Sequence, residues 1–381
     1  MSETTTLTAR RLFDGEEFIE NARLVIRDGV VADVGSSDGN SDLRFDTGMI
    51  VPGFVDLQVN GGGGYLLNDA PSLETIREIC AAHIRLGSTS ILPTLITDSA
   101  EKVRAALEAA VAAQRENVPG FFGLHLEGPH LAKTRKGAHY PGLMREMTAD
   151  DLDLLVSAAS ELPRLMVTLA PEMVSNDQIT TLAEAGVVVS LGHSDCAARA
   201  AAAAADAGAS CVTHLFNAMS PLNHREPGLV GAALESGKLD AGLIADGFHV
   251  DPIAIRIALA SKRVPGRIFL VSDAMSVTGS ELTSFTLGSR KILRHEGRLT
   301  LEDGTLAGAD LDIRTAVAFM VETVGLEQAE ALRMATSYPA STMRAAGKAG
   351  SLKPGAPANF LHLSEEFGLE GVWLNGSAYA A

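Results

Sequence analysis

Eight short apolar runs recur at regular intervals through the middle of this chain. They are FVDLQV (54–59), TSILPTLIT (89–97), GFFGLHLEG (120–128), RLMVTLAPE (164–172), GVVVSLGHS (186–194), CVTHLFNA (211–218), DAGLIADG (240–247) and RIFLVSDA (267–274). Helix-like stretches separate most of them. SLETIREICAAHIRLG carries a cap candidate at Ser72 and closes on Gly87, and the alanine-rich 196–208 segment has high helix propensity. Nearly continuous apolar strands alternating with helices predict parallel strands covered on both faces. Eight such units fit a (β/α)8 TIM barrel better than an open doubly wound sheet. No GxGxxG follows the first run, and GGGG at 61–64 lacks that spacing.

The ends of the chain have a different texture. Short strand-like pieces with polar turns fill the first 50 residues, and NFLHL and GVWLNG follow a Gly/Pro-punctuated stretch after Lys348. This pattern predicts a small β-sandwich domain built from both termini, residues 1–51 plus 347–381. The catalytic barrel then spans 52–346, with a β-hairpin insertion near 281–308.

Charge and cysteine content narrow the function classes. Lys and Arg number 31 against 47 Asp and Glu, a net −16, so a polyanion would be repelled and nucleic acid is a poor partner. No uncharged apolar run reaches the ~18 residues of a membrane span. The start lacks the apolar core of a secretory leader. Three cysteines (80, 196 and 211) without CxxC spacing argue against a disulfide framework or thiolate cage and suit a reducing compartment. The expectation is a soluble cytoplasmic protein.

In a barrel of this kind, chemistry sits at the C-terminal ends of the strands. Those ends carry Gln58 and Asn60, Glu127, Glu172, His193, His214, Asp246 and Asp273. Glu127, His193 and His214 are 66 and 21 residues apart, yet strands three, five and six bring their ends within reach of one ion. Two imidazoles and a carboxylate suit zinc with a position left for water; iron, manganese and cobalt remain open. Asp273 is the candidate proton acceptor and donor. His139, in the loop KTRKGAHYPG, is a candidate to polarise a carbonyl. Asn217, Ala218 and Arg225 suggest an anion site, and His249 is placed to contact a hydroxyl or phosphate. His125 shares the inward face with Glu127 and reads as barrel filling; Cys196 reads as small and buried. His83, His295 and His362 read as ordinary helix or loop residues.

With these residues in view, the chain resembles the amidohydrolase superfamily, and within it the N-acetylglucosamine-6-phosphate deacetylases. The matching segments are PGFVDLQVNGGGG (52–64), LHLEGPHL (124–131), KGAHYPG (136–142), LGHSDC (191–196), THLFNAMSPL (213–222), REPGLVG (225–231), IADGFHV (244–250), VSDAM (271–275) and LAGADL (306–311). They span essentially the whole chain. The resemblance implies one divalent metal per subunit on Glu127, His193 and His214, with Asp273 as general base and acid and His139 on the acetyl carbonyl. Ala138, Asn217, Ala218, Arg225, His249 and Leu306, Ala307 and Gly308 would line a sugar-phosphate pocket. It also implies a homodimer. Many superfamily members place His-x-His at the end of strand one for a second metal; here Gln58-Val59-Asn60 stands there, which points to one tightly held ion, while Glu172 leaves a weak second ion open. The alternatives are a deacetylase for N-acetylgalactosamine 6-phosphate or another N-acyl substrate, or a silent sugar-phosphate-binding barrel. The intact metal set and Asp273 weigh against the silent barrel.

Overall fold

The computed structural model describes all residues except 1–3, 38, 40, 163, 289, 303 and 381. Positions 289 and 303 of the expected insertion, 163 of the expected barrel, and 1–3, 38, 40 and 381 of the expected terminal domain lie outside the described residues.

Each apolar run contains a strand: β1 (Phe54–Val59), β2 (Ser88–Ile96), β3 (Leu124–Glu127), β4 (Leu165–Leu169), β5 (Val188–Leu191), β6 (Cys211–Val212), β7 (Asp240–Leu243) and β8 (Ile268–Leu270). They pair in chain order, all parallel. The barrel closes where the Asp273 N–H donates to the Gln58 carbonyl at 3.0 Å and Val59 bridges Ala274. Several strands are shorter than their apolar runs because the chain turns out of the sheet into the mouth of the barrel. β6 is the extreme: the regular strand ends at Val212, although the run continues to Ala218.

Helices cover the outside. α1 (Leu73–Arg85) starts where the Ser72 hydroxyl accepts the Thr75 N–H, and Gly87 ends it with φ +99°, a left-handed conformation suited to glycine. α2 spans Ala100–Arg115, and α3 (Ala149–Glu161) begins with a reciprocal capping box between Thr148 and Asp151. Then come α4 (Asn176–Glu184), α5 (Ala198–Asp206), α6 (Gly228–Glu235), α7 (Pro252–Ser261) and α8 (Ile313–Phe319). Between β8 and α8, Ser284–Leu287, Arg290–His295, Arg298–Thr300 and Leu306–Ala309 form a four-stranded antiparallel meander, larger than one hairpin.

Strands from both chain ends share one sheet, in which Phe360–Leu363 runs antiparallel to Met49–Pro52. Leu7, Leu12, Leu24, Ile26, Ile50 and Phe360 give it a core of its own. Trp373 stacks on Phe360 with centroids 4.9 Å apart, and Phe45 meets Trp373 edge-on at 5.3 Å. Phe45 lies on a strand paired to Thr4–Phe13.

One buried acid inside the barrel has a stability consequence. Asp56 Oδ1 accepts the N–H groups of Gln58 and Ser272, both at 3.2 Å, while Oδ2 has no hydrogen-bond partner among the described residues. Burial pushes its carboxyl up to about 7. The folded state therefore holds a proton that the unfolded chain releases near pH ~4. The stability from this group is fully present below pH ~4 and is lost as pH climbs to about 7. Asp56→Asn is expected to flatten that part of the melting temperature against pH profile; an unchanged slope would place the pH dependence elsewhere.

Candidate active site

The mouth of the barrel holds a cavity of about 160 Å³. Glu127, on the last residue of β3, sits at its floor and is buried with His193 and His214, which lie on the turns after β5 and β6. His193 Nε2 is 3.2 Å from Glu127 Oε1, His214 Nε2 is 3.0 Å from the same oxygen, and the two imidazole nitrogens are 3.0 Å apart. The other nitrogen of His193 lies 2.8 Å from the Arg135 carbonyl, which can only accept. Nδ1 of His193 therefore carries the proton and Nε2 presents a lone pair. The Nε2 lone pair of a neutral His193 and the Glu127 oxygen, 3.2 Å apart, repel unless a proton or a cation lies between them. This donor set fits a divalent metal.

His139 joins the same cluster, with Nε2 3.5 Å from Glu127 Oε2, and Glu127, His139 and His193 group as possible metal donors. Its hydrogen bonds assign it a different part. Nδ1 receives the Thr97 N–H at 3.3 Å and lies 2.8 Å from the Thr97 hydroxyl. Nδ1 is thus an acceptor, and Nε2 carries the proton into the cavity. Burial, and then the nearby His193, pull the His139 pKa down to about 4, so the ring is a neutral donor at pH 7.

Two carboxylates share this floor with opposite protonation tendencies. Burial would raise Glu127, but contacts with His139, His193 and His214 outweigh it and hold the carboxyl well below its usual range. Burial, with the Glu127 charge second, pushes Asp273 up to about 6. The Gln58 amide lies between them, donating to Glu127 Oε1 at 3.0 Å and Asp273 Oδ1 at 3.3 Å, while its own oxygen accepts from Thr213 at 2.7 Å. Asn60 donates to Asp273 Oδ1 at 2.7 Å. Amide N–H groups therefore occupy carboxylate lone pairs in the place where a second metal would compete for them.

Glu172 is tied elsewhere. Its carboxylate accepts the Ser194 hydroxyl at 2.7 Å and the Asp195 N–H at 2.6 Å. Asp195 pairs with the Arg135 guanidinium at 2.7 Å, and the Arg135 carbonyl is the acceptor for His193. His193 has φ +45°, a left-handed conformation costly for a non-glycine residue, and this closed circuit holds it there.

At the far side of the cavity, His249 Nδ1 meets Asp246 Oδ2 at 2.6 Å, and Asp246 Oδ1 accepts the Phe248 and His249 N–H groups at 2.8 Å each. Ala138, Asn217, Ala218, Leu306 and Gly308 also line the cavity. Two expected residues do not. Ala307 is fully buried in an apolar cluster with Met275 and Val277, because alternate residues of an extended strand face opposite ways. Arg225 is exposed on the loop between β6 and α6 and is not among the residues lining its own subunit's cavity. Ile96, Ile244, Met275 and Leu287 line the cavity without having been expected; being apolar, they carried no signal separating them from core. His125 lies beneath the floor, bonded to the Leu57 carbonyl at 3.0 Å and the Thr168 hydroxyl at 2.8 Å.

Residues 49–378 match the amidohydrolase family model. The chain belongs to the amidohydrolase family. Among curated relatives of this amidohydrolase, the N-acetylgalactosamine-6-phosphate deacetylase of Shewanella sp. (strain ANA-3) is 38% identical over 365 residues, covering 94% of this chain and 91% of that protein. The N-acetylglucosamine-6-phosphate deacetylase structure from Pasteurella multocida superposes with TM-score 0.94 at 30% identity, covering all of both chains. A mutant of the Mycobacterium smegmatis N-acetyl-D-glucosamine-6-phosphate deacetylase, in complex with N-acetyl-D-glucosamine-6-phosphate, has TM-score 0.92 at 30% identity and 99% coverage of both.

The circuit around His193 makes a prediction. Glu172→Ala is expected to weaken metal affinity by about 10–100-fold, measured by competition with a chromophoric chelator. Unchanged affinity would show that the turn holds His193 without that carboxylate.

Proposed function

We propose that this amidohydrolase cleaves the acetamide of N-acetyl-D-glucosamine 6-phosphate, giving D-glucosamine 6-phosphate and acetate. The observation that carries this reading is a single cavity with a hydrolytic end, Glu127, His193, His214, His139 and Asp273, and an anion-binding end, His249, Asn217 and Ala218. The names of the relatives support both the reaction and the phosphosugar.

Glu127, His193 and His214 would hold one divalent ion, zinc by the character of the donors, with Gln58 and Asn60 disfavouring a second. When bound, such an ion supplies Lewis acidity to the carbonyl and the water. The protein's own groups do the rest. Asp273, held by Asn60, takes a proton from water as its oxygen bonds to the acetyl carbon. The neutral His139 donates its Nε2–H to the developing oxyanion; loss of one such donor costs about 3–4 kcal/mol in other hydrolases. Asp273 then returns the proton to nitrogen as the C–N bond breaks. His249, fixed by Asp246, and the Ala218 N–H receive the phosphate, the Asn217 N–H being held by the His214 carbonyl at 2.9 Å, with Leu306 and Gly308 against the sugar.

Arg225 contributes to that phosphate from a second copy in a homodimer. Its exposure, and the exposed Leu222, Ile253 and Ile257, support this arrangement. A cytoplasmic location is supported by three buried free cysteines. A second reading, the galacto epimer as substrate, is favoured by the 38% identity to the Shewanella relative. Relative kcat/KM on the two epimers decides: a tenfold advantage for the galacto sugar would transfer the assignment.

Asp273→Asn is expected to lower kcat by about 10²–10⁴-fold while metal content is retained; near-normal turnover would remove Asp273 from the mechanism. Because Asp273 must be ionised, wild-type activity should fall as pH drops through about 6, or lower once a cation sits beside it. Mixing Arg225→Ala and Asp273→Asn subunits under exchange conditions should restore activity, since the mixed dimer has one intact site. No restoration would place Arg225 outside the neighbouring site.

A further inference from the structure

On the side of His139 the catalytic cavity is bounded by apolar side chains. A second cavity of about 910 Å³ lies beside it, lined by loops after β1, β2 and β3 and by the first hairpin of the meander. The two share three residues: Ile96 at the end of β2, Ala138 in the loop carrying His139, and Leu287 at the end of the strand Ser284–Leu287. Ile96 and Leu287 belong to one apolar cluster, with Ala138 packed against it. Beyond them the second cavity opens toward Asn68, Lys102, Lys136, Tyr140 and Arg290. Arg290 hydrogen-bonds the Ala138 carbonyl, tying the hairpin to the His139 loop.

We propose that this second cavity is an acyl subsite, and that the enzyme hydrolyses N-acyl amino-sugar 6-phosphates with straight chains longer than acetyl, propionyl and butyryl in particular. The inference rests on the phosphosugar reading above. In an eight-stranded barrel, the β6–β7 side that carries Asn217 and His249 lies across the mouth from the β2–β3 side that carries Ile96 and His139. A sugar anchored by its phosphate on the first side, with its carbonyl at Asp273 and His139, sends the acyl chain onward over the second. There it meets the apolar wall of Ile96, Ala138 and Leu287 that the two cavities share. The added methylenes lie on apolar side chains, and the chain end reaches solvent near Lys136. The chemistry is unchanged: water's oxygen bonds to the acyl carbon, the C–N bond breaks, the amine takes a proton, and propionate or butyrate leaves in place of acetate.

The test is kcat/KM on N-acetyl, N-propionyl and N-butyryl glucosamine 6-phosphate, repeated with the galactosamine series. The wild type should keep butyryl within about tenfold of acetyl. Leu287→Phe, which fills the passage, should lower the butyryl-to-acetyl ratio at least tenfold, and Leu287→Ala should raise it. Ala138→Val should act in the same direction as Leu287→Phe from the opposite wall. Acetyl turnover with butyryl more than a thousandfold worse, or ratios identical in all variants, overturns the subsite and leaves the deacetylase reading standing. No acetyl turnover on either sugar overturns both.

Discussion

Two imidazole nitrogens and a carboxylate oxygen meet within 3.2 Å of one another in a buried cavity. Atoms of this kind come so close only with protons or a cation between them, and much of the surrounding structure holds the three in place. The Arg135 carbonyl fixes the tautomer of His193, Glu172 and Asp195 hold its left-handed backbone, and the Gln58 amide restrains Glu127. Each of these partners comes from a different strand end or loop. A parallel barrel places eight strand ends around one mouth, so residues far apart in sequence can converge there.

The same arrangement separates the two acids. Imidazoles around Glu127 keep it ionised, and burial together with that ionised neighbour makes Asp273 a better proton acceptor. Pairs of carboxylates pushed apart in this way commonly divide structural and acid–base work. The local field also answers a difficulty raised by the net charge of −16. An anionic substrate gains nothing from the protein as a whole. Attraction must come from the metal site, His249 and backbone groups within the cavity.

The barrel was legible because its strands are buried on both faces and so read as unbroken apolar runs. Polar residues at their ends stood out against that background, which is why Glu127, His193, His214 and Asp273 could be named from sequence. Other parts depend on information that local pattern does not carry. The division of Leu306 and Gly308 from Ala307 depends on which face of a short strand is turned inward. Glu172 reads equally well as a metal ligand until Ser194 and Asp195 are seen to claim both of its oxygens. Leu287 reaches the cavity from a meander well beyond β8, and an apolar residue there looks like any other. Arg225 lies on an exposed loop away from the cavity, a separation that its place in the REPGLVG segment does not reveal.

Anomalous diffraction from crystals grown with zinc tests the central claim most directly. The account predicts one strong peak per chain within coordination distance of Glu127 Oε1, His193 Nε2 and His214 Nε2, with His139 turned toward the substrate space. A peak coordinated by His139, or a second peak of equal strength at Gln58 and Asn60, would contradict it.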